Sequence, residues 1–254
     1  MTYLQFLLIF LGIPLLVVCS LYRKSDLPNK GAFRFGISLL IFLAVSYTTP
    51  WDNYLVKSGV WIYGSDRILG TIGYVPIEEY LFFVLQTIFS GLVCFLLQKS
   101  FPLKKETSKS SIGYIVLICY FALFMLGFFC LYIEKTRYLG LILAWAMPVL
   151  ILQWLAGGGY LLSNRKIFLL STFLPSLYLW VADGLAISWG IWSISETYTI
   201  GLKAGSLPFE EAVFFLVTNL MVSQGVILFV VMEEEISKLI NFKKRILKWV
   251  GWSG

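Results

Sequence analysis

The chain has 254 residues, of which 59% are hydrophobic, 17% aromatic and only 13% charged, with a formal net charge of +6. A soluble domain carries about twice that share of charge, so a water-soluble enzyme is excluded. Histidine is absent, which removes the commonest general base and the commonest metal ligand together.

The apolar residues fall in runs of about 20, the length that crosses a hydrocarbon core. In chain order the runs cover 3–22, 32–49, 76–98, 112–133, 138–162, 167–188 and 208–232. This pattern predicts an all-α integral membrane protein with seven transmembrane helices, in a single membrane domain over 1–235. The first run has no basic segment ahead of it, so a cleaved signal peptide is not expected. After the last run, residues 236–254 mix Lys238, Lys243, Lys244, Arg245 and Lys248 with Ile, Leu, Phe and Trp, a basic amphipathic tail suited to a membrane surface. No strand pattern stands out and no Gly-x-Gly-x-x-Gly follows a strand, so a dinucleotide fold is not expected. Cys19, Cys94, Cys119 and Cys130 lie inside apolar runs without Cys-x-x-Cys spacing. They read as small buried hydrophobes, not as metal ligands or a disulfide set.

Lysine and arginine set the expected orientation. With the N-terminus outside, 15 of the 20 fall on the inner side, including Arg23, Lys24, Lys104 and Arg165. Five fall outside: Lys57, Arg67, Lys135, Arg137 and Lys203. The C-terminus is then cytoplasmic.

The sequence also repeats. Asp52 precedes Asp183 by 131 residues, as Gly59 precedes Gly190 and Trp61 precedes Trp192. After a one-residue insertion, Pro76, Glu78, Glu79, Phe82 and Phe83 match Pro208, Glu210, Glu211, Phe214 and Phe215. Helices 1–3 (about 1–100) are expected to repeat as helices 5–7 (about 138–232). The odd helix at about 112–133 links them and keeps the two halves parallel. A parallel repeat is a known plan for membrane proteins with a site between the halves, and here it puts both Glu pairs and both aspartates near the outer face.

A proline at the first helical position followed by glutamates is a good helix start. A cap, however, needs one acidic group rather than two. Adjacent helical residues point about 100° apart, so one glutamate of each pair can face the interior while the other faces the rim. Gln86, Thr218 and Asn219 lie about two turns further on and extend a polar stripe. A carboxyl in an apolar pocket resists ionisation and can serve as a proton donor, while a wetter one stays ionised and accepts. Trp51, Trp61, Tyr63, Phe82, Phe83, Trp189 and Trp192 gather at the same mouth. The tryptophans also fit an interfacial belt, whereas Phe82–Phe83 and Phe214–Phe215, a turn deeper, do not. Ring faces stabilise cations, so donor, acceptor and rings together suit a carbocation reaction on a hydrocarbon.

The segments "TPWDNYLVKSGVWIYG", "GYVPIEEYLFF" and "SLPFEEAVFFLVTNLMVSQG" resemble the membrane-type lycopene cyclases, over nearly the whole chain to about residue 232. That family occurs as paired half-size subunits in some bacteria and as fused chains in archaea and fungi. The resemblance implies protonation of a terminal double bond of lycopene, closure of a six-membered ring and proton loss to a β-ionone ring, with no net redox change. It makes Glu78, Glu79, Glu210 and Glu211 the candidate catalytic groups, with Asp52 and Asp183 in support; "VADGLA" replaces "PWDN" around the second aspartate. Trp51, Trp61, Phe82, Phe83, Trp192, Phe214 and Phe215 are candidate substrate-binding residues. The implied partners are a lipophilic carotenoid and the lipid bilayer, with no cofactor, no metal and no nucleic acid. A cyclase of a longer carotenoid and a small parallel-repeat transporter stand as alternatives, although charge concentrated at one mouth disfavours transport. No lysine lies in 208–232 to hold retinal, and single aspartates do not make the Asp-rich sites that bind magnesium diphosphate.

Overall fold

A computed structural model describes residues 1–64 and 66–233 of the chain; the expected tail at 236–254 lies outside the described residues. Among them, seven helices are long and apolar enough to cross a membrane. They are α1 (Tyr3–Lys24), α2 (Lys30–Lys57), α3 (Ile77–Leu97), α4 (Ile112–Leu131), α5 (Arg137–Ser163), α6 (Arg165–Ser188) and α7 (Phe209–Val231). α1 starts on a reciprocal cap: Gln5 N–H donates to Thr2 Oγ1 and Thr2 N–H to Gln5 Oε1.

The helices α3 and α7 form the centre. α3 packs against α1, α2, α6 and α7, while α7 packs against α5, α6, α2 and α3. Lipid tails are as apolar as leucine, so small residues and polar bonds between helices hold such a bundle together. Both are present. Gln86 donates to Thr218 (3.0 Å), Ser90 to Asn219 (2.6 Å), Asn219 to Ser176 (3.0 Å) and Gln224 to Tyr120 (2.9 Å). The polar stripe expected below the Glu pairs is thus a set of satisfied interhelical bonds. α4 lies on α5, where a Cβ on Gly140 would come within 2.8 Å of the Gly127 carbonyl and 2.9 Å of the Leu131 amide.

The structure departs from the expected elements in four places. α2 runs on to Lys57, so Trp51 and Asp52 sit on helix instead of beyond its end. Pro50 removes one helical N–H, but Thr49 Oγ1 donates back to Val45 and Asn53 Nδ2 to Thr49, and transmembrane helices tolerate such a break. Pro76 and Pro208 precede their helices instead of opening them. Their backbone is extended (ψ 144° and 149°) and each ends a short strand. Short strands do occur: β1 (Trp61–Tyr63), β2 (Thr71–Ile72), β3 (Val75–Pro76), β4 (Trp192–Ile194), β5 (Lys203–Ala204) and β6 (Leu207–Pro208). At two or three residues they are too short to show a period-2 pattern. Finally, Cys94 and Cys130 are buried, but Cys19 is half-buried and Cys119 is exposed on α4.

Candidate active site

The loops before α3 and α7 build the site. β1 pairs antiparallel with β4, with Ile62 opposite Ser193, so both loops lie at one end of the bundle. Each then makes a two-residue hairpin, β2–β3 and β5–β6, turning on Gly73 (φ +67°) and Gly205 (φ +65°). Glycine takes this left-handed backbone without a Cβ penalty. Each hairpin delivers its chain into a helix whose first turn carries two glutamates.

The two glutamates of a pair do different things. Glu78 Oε1 accepts the Leu69 N–H at 2.8 Å, and Glu210 Oε1 accepts the Ile200 N–H at 2.7 Å. Each fastens its own loop to its own helix. The expectation that one member faces the rim is corrected here, since Glu78 and Glu210 are 1% and 0% exposed. The folded loop covers them and supplies the donor.

Glu79 and Glu211 instead meet across a small buried pocket of about 30 Å³, which Asp183 also lines. Tyr63 donates to Glu79 Oε1 at 2.6 Å, and Tyr3 also hydrogen-bonds Glu79. Tyr138 donates to Glu211 Oε1 at 2.6 Å, and Trp61 Nε1 reaches both Glu211 (3.1 Å) and the Tyr138 hydroxyl (2.8 Å). Desolvation, then the neighbouring Glu79 and Asp52, push the Tyr63 hydroxyl well above the ordinary tyrosine range, which keeps it a donor. Trp192 Nε1 donates to Asp183 Oδ1 at 3.0 Å. Asp52 is fully buried, neither of its oxygens has a hydrogen-bond partner among the described residues, and it lies within electrostatic reach of Glu79 and Glu211.

Among the described residues, no lysine or arginine lines this pocket. A cluster of buried carboxyls with no cation beside it cannot be wholly ionised. It therefore keeps protons available to give and carboxylates available to take them. Among the described residues, no three His, Cys, Asp or Glu side chains are grouped as ligands for a metal ion.

Aromatic rings wall the pocket. Phe214 packs edge-on to Trp61 at 5.7 Å and stacks on Trp51 at 5.8 Å, and Trp51 stacks on Trp145 at 4.7 Å. Phe82 and Phe215 meet edge to face at 6.1 Å, and Trp192 lies 4.8 Å from Tyr3. A second, larger cavity of about 640 Å³ adjoins the pocket, and Phe214 lines both.

Most of the residues read from the sequence converge. Glu79, Glu211, Asp183, Trp61, Phe82, Trp192, Phe214 and Phe215 line the small pocket, while Phe83 lines the large cavity. Trp51 stands behind Phe214 in the stack, and Asp52 is buried nearby without lining the pocket. Trp189 does not join them; it is 44% exposed and packs on Phe10. Three residues went unread: Tyr3, Tyr138 and Trp145. A signal for two existed, because "TYL" opens α1 as "RYL" opens α5. Their backbones also dock alike, Tyr3 N–H on Arg67 O (2.8 Å) and Tyr138 N–H on Tyr198 O (3.1 Å).

A family model described as lycopene cyclase matches residues 1–97 and 135–229. A protein named lycopene beta-cyclase from Halobacterium salinarum is 40% identical over 233 residues, covering 90% of this chain and 95% of that one. A bifunctional lycopene cyclase/phytoene synthase from Aspergillus niger is 37% identical over 201 residues, 76% of this chain and 34% of the longer protein. Another from Sporisorium reilianum is 36% identical over 228 residues, 82% of this chain and 32% of its own length. No solved structure shows significant similarity to the chain.

Proposed function

The chain belongs to the lycopene cyclase family, and on that premise we propose that it is a membrane-embedded lycopene β-cyclase. One carboxyl of the Glu79–Glu211 pair protonates the terminal double bond of lycopene. The resulting tertiary cation is attacked by the neighbouring double bond, which closes a six-membered ring. The other carboxylate removes a ring proton to leave the β-ionone double bond. One proton enters and one leaves, so the product is an isomer of the substrate. The surrounding rings stabilise the cation by their faces and exclude water that would trap it as an alcohol.

The observation that carries this reading is that Glu79 and Glu211, 132 residues apart in sequence, share one ring-walled pocket that, among the described residues, no basic side chain lines. Tyr63, Tyr138 and Trp61 orient them, and Asp183, held by Trp192, is a further proton-holding group. Glu78 and Glu210 keep the loops closed over the site. Chelatable metals and flavins have no role in this scheme.

Two further parts of the reading concern architecture. The membrane domain comprises two parallel halves, about 1–100 and 138–232, joined by the helix at 112–133. In support, α1 packs on α3 as α5 packs on α7, and α2 packs on α3 as α6 packs on α7. The carboxylate end faces outward, with the N-terminus outside and the C-terminus cytoplasmic, as the lysine and arginine distribution favours.

The test is expression in cells that accumulate lycopene, followed by chromatography of the pigments. Pigments carrying β-ionone rings are expected. Unchanged lycopene beside well-accumulated protein would overturn the reading.

A further inference from the structure

The pocket between Glu79 and Glu211 has room for about a single water. A hydrocarbon end group cannot fit there until something moves. The larger cavity shows what moves and where the hydrocarbon comes from.

That cavity is a slot between α2 and α5, backed by α3 and α7. At the carboxylate end two bonds tie α2 to α5: Tyr47 OH to Trp145 O (2.9 Å) and Trp51 Nε1 to Leu141 O (3.1 Å). Away from those ties the slot opens on the bundle surface, where its rim residues Leu43 and Leu152 are exposed. Along α7 it runs from Phe214 to Met232, roughly 27 Å at the helical rise of 1.5 Å per residue. That approaches the ~30 Å thickness of a hydrocarbon core. Polar groups in the lining are few: Gln86 donates to Thr218 and Gln153 Nε2 to the Met221 carbonyl, while Gln153 Oε1 has no partner among the described residues. A long slot with so few polar groups suits an extended hydrocarbon. Its inner end is the Trp51–Trp145–Phe214 stack, and behind Phe214 lie the carboxyls.

We propose that the polyene enters this slot end-first from the bilayer, between α2 and α5, and that the Phe214 ring is the door through which its end reaches Glu79 and Glu211. This rests on the cyclase reading above. A lipid acyl chain shares the slot's chemistry; the polyene is favoured because the slot leads to the proton-transfer groups and ends on flat aromatic faces.

The test uses full-length protein in liposomes containing lycopene, with kcat and KM measured separately. Leu152→Trp puts a bulky ring on the slot's rim. Leu155→Trp puts the same ring on an exposed position of α5 that does not line the slot. The rim variant should raise KM by about tenfold or more, as expected for lost access with the chemical step intact, while the control stays at the wild-type value. Phe214→Trp makes the door heavier and should lower kcat by about tenfold or more with KM little changed. If Leu152→Trp fails to accumulate, Leu43→Trp on the opposite rim makes the same comparison. Rim variants that match Leu155→Trp, in a protein that converts lycopene, would overturn the slot as the route and leave it to lipid. A Phe214→Trp effect confined to KM would overturn the door. A wild-type protein that leaves lycopene untouched would instead remove the cyclase reading on which both depend.

Discussion

Changing each of the four glutamates to glutamine separates the two jobs assigned to them. Glutamine keeps the size and one carbonyl acceptor but cannot titrate. At Glu78 and Glu210, the carbonyl oxygen of the new amide can still accept the loop N–H at about the present 2.8 and 2.7 Å. Its NH2 then falls where, among the described residues, Glu78 Oε2 and Glu210 Oε2 now have no partner. Leaving a buried donor unsatisfied costs about 1–3 kcal/mol of stability but touches no proton that the reaction uses. At Glu79 and Glu211 the proposed mechanism loses a proton donor or acceptor, typically ~10²–10⁴ in rate, or about 3–5 kcal/mol of barrier at 1.36 kcal/mol per decade. The assay is the initial rate of lycopene consumption in isolated membranes, normalised to immunoblotted protein. Glu79→Gln and Glu211→Gln should accumulate and be nearly inactive; Glu78→Gln and Glu210→Gln should accumulate less and turn over at close to the wild-type rate per molecule. The reverse ranking would refute the assignment of the inner pair. Four active variants would reduce all four glutamates to helix starts and loop clasps.

Other expectations follow from the same geometry. Tyr138→Phe removes the 2.6 Å bond to Glu211 and should lower kcat by about tenfold, with Trp61→Phe milder, because Tyr138 still holds the same oxygen; steady-state rates in membranes check both, and an unchanged Tyr138→Phe would count against an oriented Glu211. Tyr63, raised above the ordinary range near 10, stays protonated while exposed tyrosines ionise. The stability it contributes is therefore full below about pH 10 and lost as pH climbs toward its folded value. Alkaline difference spectra of wild type and Tyr63→Phe should superimpose while the exposed tyrosines ionise, and a missing tyrosinate signal in the variant would contradict this. Gly140→Val sets a side chain against the Gly127 carbonyl and Leu131 amide, backbone that cannot yield, so the α4–α5 contact should lose about 1–3 kcal/mol, read as a lower midpoint in thermal solubility. Thiol tags placed at Lys57 and Lys203 should label from the same face of sealed vesicles; labelling from opposite faces would refute the parallel halves.

The sequence announced these features unevenly, for physical reasons. Seven helices were legible because a bilayer demands about 20 apolar residues per span, a signal that needs no tertiary knowledge. The Glu pairs stood out because charge is rare at membrane depth and functional by default. Their division of labour was not legible. Whether Glu78 or Glu79 turns inward depends on the loop that folds back to put the Leu69 amide over Glu78, and nothing local encodes that contact. The β1–β4 pairing sets Ile62 opposite Ser193, 131 residues on, through strands of three, below the length at which alternation can be recognised. Asp52 and Asp183 match in the repeat, yet Trp192 bonds its own Asp183 while Trp61 bonds Glu211 from the other half. The two aspartates match in position but not in flanking sequence, "VADGLA" against "PWDN", and the indole directions differ between the halves as well. Tyr3 and Tyr138 were hidden because tyrosine at a helix start reads as an interfacial anchor. The slot was hidden because its lining is apolar on α2, α3, α5 and α7, as any helix contact would be.

The central claim is that this chain, by giving a proton to the polyene and taking one from the closed ring at Glu79 and Glu211, turns lycopene into a ring-closed isomer. Its most direct test is purified protein in liposomes with lycopene, excess chelator and no flavin, and mass spectrometry and absorption spectroscopy of the product. A product of unchanged mass carrying β-ionone rings, formed by wild type and abolished in Glu79→Gln and Glu211→Gln, is the predicted result. Conversion that requires a flavin or a metal, or that survives both substitutions, would contradict it.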